Sequence, residues 1–233
     1  PGPDEDNNEA NAQPLSNVNK VQSAPFNLDG TGVAVGIWES GDVILATHQE
    51  LRPRVTVQSG QTASTDNHAA HVAGTVGSSG ANSPATEGMA PNVTIASWDA
   101  YNDAVEMTNA VTSAGNPGQP TPVQISNHSY GQKIGWNNSG TDFVSQADFG
   151  NYTNLSVNYD NVVAQNGLIV VKSAGNHRND APPIPVPGQP ADCLQGGLGI
   201  FADCIGRRGS AKNVITVGAM NGANAIGVFS SFG

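Results

Sequence analysis

GVAVGIWESG, residues 32–41, runs from a glycine through an unbroken apolar stretch into Glu39-Ser40-Gly41. A half-buried strand would alternate apolar and polar residues. Here no polar residue appears before Glu39, so the stretch reads as a strand buried on both faces. VTIASWDA (93–100), VQISNHSY (123–130), LIVVKSAGN (168–176) and NVITVGAM (213–220), rich in β-branched residues, read as further strands. Helical spacing lies between these runs. HAAHVAGTVG (68–77) is small and apolar, a helix that must pack closely. AVEMTNAVTSAG (104–115) has Asp103 available as its cap and Gly115 as its stop, and NLSVNYDNVVAQNG (154–167) ends at Gly167. The alternation predicts an α/β fold, a parallel twisted sheet with helices on both faces.

Such sheets carry their sites at the carboxyl ends of their strands. Those ends are Glu39-Ser40-Gly41, Ser129-Tyr130-Gly131 and Gly175-Asn176, and the segment NHAAH starts a helix. One carboxylate, two histidines and one amide are thus predicted on one edge of the sheet. His68 and His71, three apart, have three readings: two metal ligands on one helix face, two packing residues, or a catalytic base with a structural neighbour. The metal reading lacks an evident third ligand and the HExxH pattern. A nucleophilic hydrolase needs a base, an acid to orient it and donors for an oxyanion. His68, Glu39 and Asn176 can fill those roles.

The residues also resemble a known family. GVAVGIWESG is similar to the first-strand motif of the subtilisin-like proteases, which ends in Asp-Ser/Thr-Gly, and NHAAHVAGT to their His-Gly-Thr-His-Val-Ala-Gly-Thr helix. GMAP (88–91) resembles their Gly-Val-Ala-Pro, ISNHSYG their substrate-binding strand, and VVKSAGN the strand that ends in the oxyanion asparagine. AKNVITVGAM followed by FSSFG resembles the lead-in to the serine. The resemblance runs in order from about Thr31 to Gly233 and implies a subtilisin-like serine endopeptidase. It implies His68 as the general base, Glu39 as the orienting acid and Asn176 as the oxyanion donor. His71 is implied to be structural, lying a turn deeper against the sheet. Ser129, Tyr130 and Gly131 are implied to hold the substrate backbone, and Ser173, Ala174 and Gly175 to line the pocket for the side chain before the scissile bond. His48, in THQEL, resembles the family's His-Pro-Asp-Leu turn. His128 is expected as a wall residue beside the cleft and His177 at its rim.

Two departures bear on activity. Glu39 stands where the family has aspartate, which keeps the charge and adds a methylene. The alternative to an active enzyme is therefore a weakened or dead subtilase fold that binds peptides or serves a surface assembly. Ala69 and Ala70 replace Gly-Thr, a change a helix tolerates well. The family's Gly-Thr-Ser-Met-Ala motif is absent from residues 1–233, and Ser230 and Ser231 sit in the lead-in. The nucleophile is expected beyond Gly233, and the chain reads as an incomplete catalytic domain.

Composition bounds the rest. With 9 Lys and Arg against 19 Asp and Glu, a net charge of −10, nucleic acid is not an expected partner. No apolar run approaches the ~20 residues of a membrane span. Peptide or protein substrates and a monomer are expected. The opening PGPDEDNNEANAQP is acidic and poor in apolar residues, so residues 1–28 are predicted to be a flexible segment and 29–233 the peptidase domain. Cys193 and Cys204 would close a short Gly-rich loop. A disulfide is predicted, with two buried free thiols as the alternative, and it would point to a secreted or extracellular protein. The resemblance implies no required cofactor and allows structural calcium, but no D-x-D-x-D-G loop marks ligands.

Overall fold

The computed structural model describes residues 9–61, 64–112, 121–136, 143–144, 149–178, 180 and 204–231. Among the described residues the strands are β1 Ala34–Glu39, β2 Asp42–Val43, β3 Val55–Val57, β4 Ser64–Thr65, β5 Thr94–Asp99, β6 Ile125–His128, β7 Gly135–Trp136, β8 Phe143–Val144, β9 Ile169–Ser173 and β10 Ile215–Val217. The α-helices among them are α1 Glu9–Ser16, α2 Val18–Gln22, α3 Asn67–Gly77, α4 Asp103–Ala110 and α5 Asn154–Asn166. The chain divides into two compact units, one of Glu5–Ser129 with Asn166–Ile169, the other of Tyr130–Gln165 with Val170–Gly233.

In the first unit four parallel strands stand in the order β6-β1-β5-β3. All six residues of the central β1 are buried, as its unbroken apolar run requires. Val35, Ile37, Val55 and Ile95 pack with Ile44, Leu51, Val93 and the α3 residues Ala69 and Ala73 into one core. Small residues at positions 69, 73 and 77, four apart, form the buried stripe of α3. A Cβ on Gly77 would lie 2.9 Å from Val93 Cγ2, so the helix approaches the sheet more closely than a side chain there allows.

Trp38 points to the opposite side from Ile37. It is fully buried and stacks on Trp98 with centroids 4.2 Å apart. Its Nε1 donates to Glu106 Oε2 of α4 at 3.0 Å. Helix α4 is shorter than its sequence suggests. Asn102 occupies the cap position and Asp103 the first turn, where its carboxylate accepts from the Ala104 amide at 2.7 Å. The helix closes at Ala110, and Gly115 lies outside the described residues.

Residues 1–28 are predicted to be flexible, yet α1 and α2 fall within them. Gln13 Nε2 donates to the Glu87 carbonyl at 2.9 Å and Gln22 Nε2 to the Met89 carbonyl at 3.2 Å. Polar side chains tie this segment to the unit, a mode that leaves no hydrophobic period to read. The turn at His48 leads to buried Glu50, whose carboxylate accepts from Ser79 Oγ, the Ala81 and Asn82 amides and Asn82 Nδ2 at 2.5–2.9 Å.

In the second unit β9 and β10 pair in parallel, with Lys172 opposite Thr216 and Ser173 opposite Val217. Strands β7 and β8 form a two-residue antiparallel pair. Ile134, Phe149 and Cys204 make a small apolar cluster.

Candidate active site

Glu39 is the last residue of β1, and His68 lies in the first turn of α3. Between them Gly41 turns at a φ of +80°, in the left-handed region that favours glycine. The chain then enters β2, which pairs in parallel with β4, Asp42 opposite Ser64 and Val43 opposite Thr65. This two-residue ladder fastens the segment after Glu39 to the segment before His68. Asp66 caps α3 and accepts from the His68 amide at 3.3 Å. His68 Nδ1 stands 2.7 Å from Glu39 Oε2.

The pair is asymmetric in its surroundings. Glu39 is 3% exposed at its side chain and His68 50%. An ionised carboxylate accepts only, so Nδ1 is the donor in this contact, and in the neutral form of the ring that tautomer leaves the lone pair on Nε2. The other carboxylate oxygen, Glu39 Oε1, is buried and accepts no hydrogen bond among the described residues. Asp42, nearby, has its carboxyl pushed above the usual range by burial first and then by the charge of Asp66.

Two expectations are corrected in this unit. His71 does not lie against the sheet; it is exposed, because the buried stripe of α3 runs through Ala69 and Ala73. His128 is a core residue and not a cleft wall. It is fully buried, stacks on Trp38 at 5.2 Å and pairs through Nε2 with Ser126 Oγ at 3.1 Å. Ser129 Oγ accepts from Asn127 Nδ2 at 2.9 Å. His48 forms the expected turn, its carbonyl accepting from the Leu51 and Arg52 amides at 3.0 Å.

The second unit contains the remaining candidates. Tyr130 and Ser173 are joined through Lys172, which sequence reasoning missed. Its ammonium donates to the Tyr130 carbonyl and to Ser173 Oγ, the latter at 2.9 Å, and lies 5.2 Å from the centre of the Tyr130 ring. Lys172 is 3% exposed. The available signal was a single charge inside the apolar run LIVVKS. Gly131 is exposed and Ala174 buried. Gly175 has a φ of +109°, and Asn176 follows it, exposed. His177 Nδ1 lies 2.9 Å from Asp180 Oδ2.

Cys204 is fully buried, and its predicted partner Cys193 lies outside the described residues. Among the described residues no three His, Cys, Asp or Glu side chains form a group that could hold a metal ion.

Comparison with curated proteins finds no match. Solved structures share the fold. MycP1 with its N-terminal propeptide removed is 20% identical, with a TM-score of 0.56 over 94% of this chain and 66% of that one. MycP1 from Mycobacterium smegmatis is 20% identical, with a TM-score of 0.51 over 97% and 60%. A cold adapted subtilisin-like serine proteinase is 21% identical, with a TM-score of 0.50 over 89% and 62%. The chain thus spans just under two thirds of the length of these structures. The profile of the subtilase family matches residues 30–233, and the chain belongs to that family.

Proposed function

We propose that this chain carries the acid–base half of a serine endopeptidase that cleaves peptide bonds through an acyl-enzyme. The observation that carries the reading is the 2.7 Å contact between Glu39 Oε2 and His68 Nδ1. His68 Nε2 takes the proton of the attacking hydroxyl, and buried Glu39 holds the ring and stabilises the imidazolium that results. Asn176 donates to the oxyanion as the carbonyl becomes tetrahedral. Ser129, Tyr130 and Gly131 bind the substrate backbone as an added strand, and Ser173, Ala174 and Gly175 line the pocket for the side chain before the scissile bond. The nucleophilic serine belongs to chain beyond Gly233.

The same reading makes the protein secreted and monomeric, with a Cys193–Cys204 disulfide. Its substrates are peptides or proteins. The test is the full-length enzyme assayed on a peptide ester and a peptide amide, with His68→Ala and Asn176→Leu beside it. Loss of one oxyanion donor lowers turnover by about 10²–10³ with the Michaelis constant nearly unchanged. Full turnover in His68→Ala would remove the reading.

A further inference from the structure

Two peptide units flank Asn176, and a single residue holds both. The Ser231 amide donates to the Gly175 carbonyl at 2.9 Å. Ser231 Oγ accepts from the His177 amide at 3.1 Å. The first bond fixes the peptide plane that enters Asn176, the second the plane that leaves it. Ser231 is 2% exposed, so water does not compete for either bond. A Cβ on Gly175 would stand 3.2 Å from Ser231 Oγ, so the two segments meet closely where glycine leaves room. The Arg178 amide adds a third tie, to the Phe229 carbonyl at 3.3 Å.

The neighbouring hydroxyl acts elsewhere. Ser230 Oγ accepts from the Ala219 amide at 2.9 Å and donates to the Ser231 carbonyl at 3.2 Å. The two serines therefore divide the work, Ser230 tying the segment after β10 and Ser231 the segment after β9.

We infer that Ser231 is a positioning residue for Asn176, its amide and hydroxyl together fixing the direction in which the Asn176 side chain leaves the backbone. The inference rests on the reading of Asn176 as oxyanion donor. Such a donor works by being aimed before charge develops, and an exposed side chain on a loop is aimed by the peptides on either side. Removing the hydroxyl frees the leaving peptide while the entering one stays held.

The experiment is a double-mutant cycle in the full-length enzyme, with Ser231→Ala, Asn176→Leu and the pair, each normalised by active-site titration with a serine-directed phosphonate. Ser231→Ala is expected to lower kcat about tenfold with KM within about twofold, a part of the ~10²–10³ lost with the donor itself. In the Asn176→Leu background it is expected to lower kcat no further. An equal loss in both backgrounds, or a change in KM alone, overturns the inference and makes Ser231 a support of the fold or of substrate binding. So does a normal kcat in Ser231→Ala while Asn176→Leu is slow. If Asn176→Leu itself keeps full turnover, the oxyanion reading falls and the inference with it. Ser231→Cys, which keeps the side chain's branching with a somewhat larger atom and weakens the acceptor, is expected to show the same pattern and serves if the alanine variant does not fold.

Discussion

Glu39 Oε2 and His68 Nδ1 meet at 2.7 Å although the two residues are 29 positions apart and come from different layers, a strand end and a helix start. The added methylene of glutamate is accommodated here, since the carboxylate reaches the ring from a fully buried strand.

That geometry separates two substitutions. Glu39→Gln removes the charge and lets an amide compete for the ring, so kcat is expected to fall by about 10³–10⁴ with KM little changed. Glu39→Asp keeps the charge but shortens the reach by about 1.5 Å, and its kcat is expected between the two. Steady-state kinetics on a peptide amide checks both. Equal turnover of Glu39→Gln and wild type would remove Glu39 from the mechanism.

Glu50 sets an acid limit on stability. Ser79 first, with the Asn82 and Ala81 groups, holds its carboxyl down at about 2 against the upward push of burial. Its ordinary value is 4.5. The folded value is the lower one, so the contribution is complete above pH 4.5 and drains away as pH falls toward about 2. Glu50→Gln is expected to cost about 2 kcal/mol or more near neutrality and to flatten the pH dependence in that window. Urea unfolding at neutral pH and at pH values inside the window reads both effects.

Gly36 lies under an indole. A Cβ there would stand 2.3 Å from Trp38 Cζ3, and the ring cannot retreat because Trp98 stacks on it and Glu106 holds its Nε1. Gly36→Ala is expected to cost about 2 kcal/mol or more through overpacking, read as a lower denaturant midpoint. An unchanged midpoint would mean that the stack gives way freely.

The proposed Cys193–Cys204 disulfide has a direct assay. Protein recovered from culture medium is expected to show no free thiol and an intact mass two hydrogens below the reduced form. Closing so short a loop is worth about 3 kcal/mol at most in the chain-entropy account. Two titratable thiols in that material would refute the pairing.

The long buried strands were legible because burial on both faces favours apolar runs, as β1 and β5 illustrate. Glu39 and His68 were legible from strand-end logic and family resemblance together. The β2–β4 ladder was not, since two residues have no period. Strand β3, Val55–Val57, was passed over although Pro53 and Ser59-Gly60 bracket it, because three residues are too few to show a period. His71 was misplaced because the buried stripe of α3 consists of alanine and glycine, which propensity cannot distinguish from helix filler. Lys172 was passed over because a lone charge within an apolar strand does not disclose what it touches.

The ladder between β2 and β4 amounts to two rungs, the thinnest of the ties that hold the segment after the acid to the segment before the base. The six-residue register between β1 and β5 is far stronger. Under heat the short seam should part first, as low-stability segments do. Activity would then fade at temperatures where circular dichroism still reports an intact sheet, so the protein would fall silent before it comes apart.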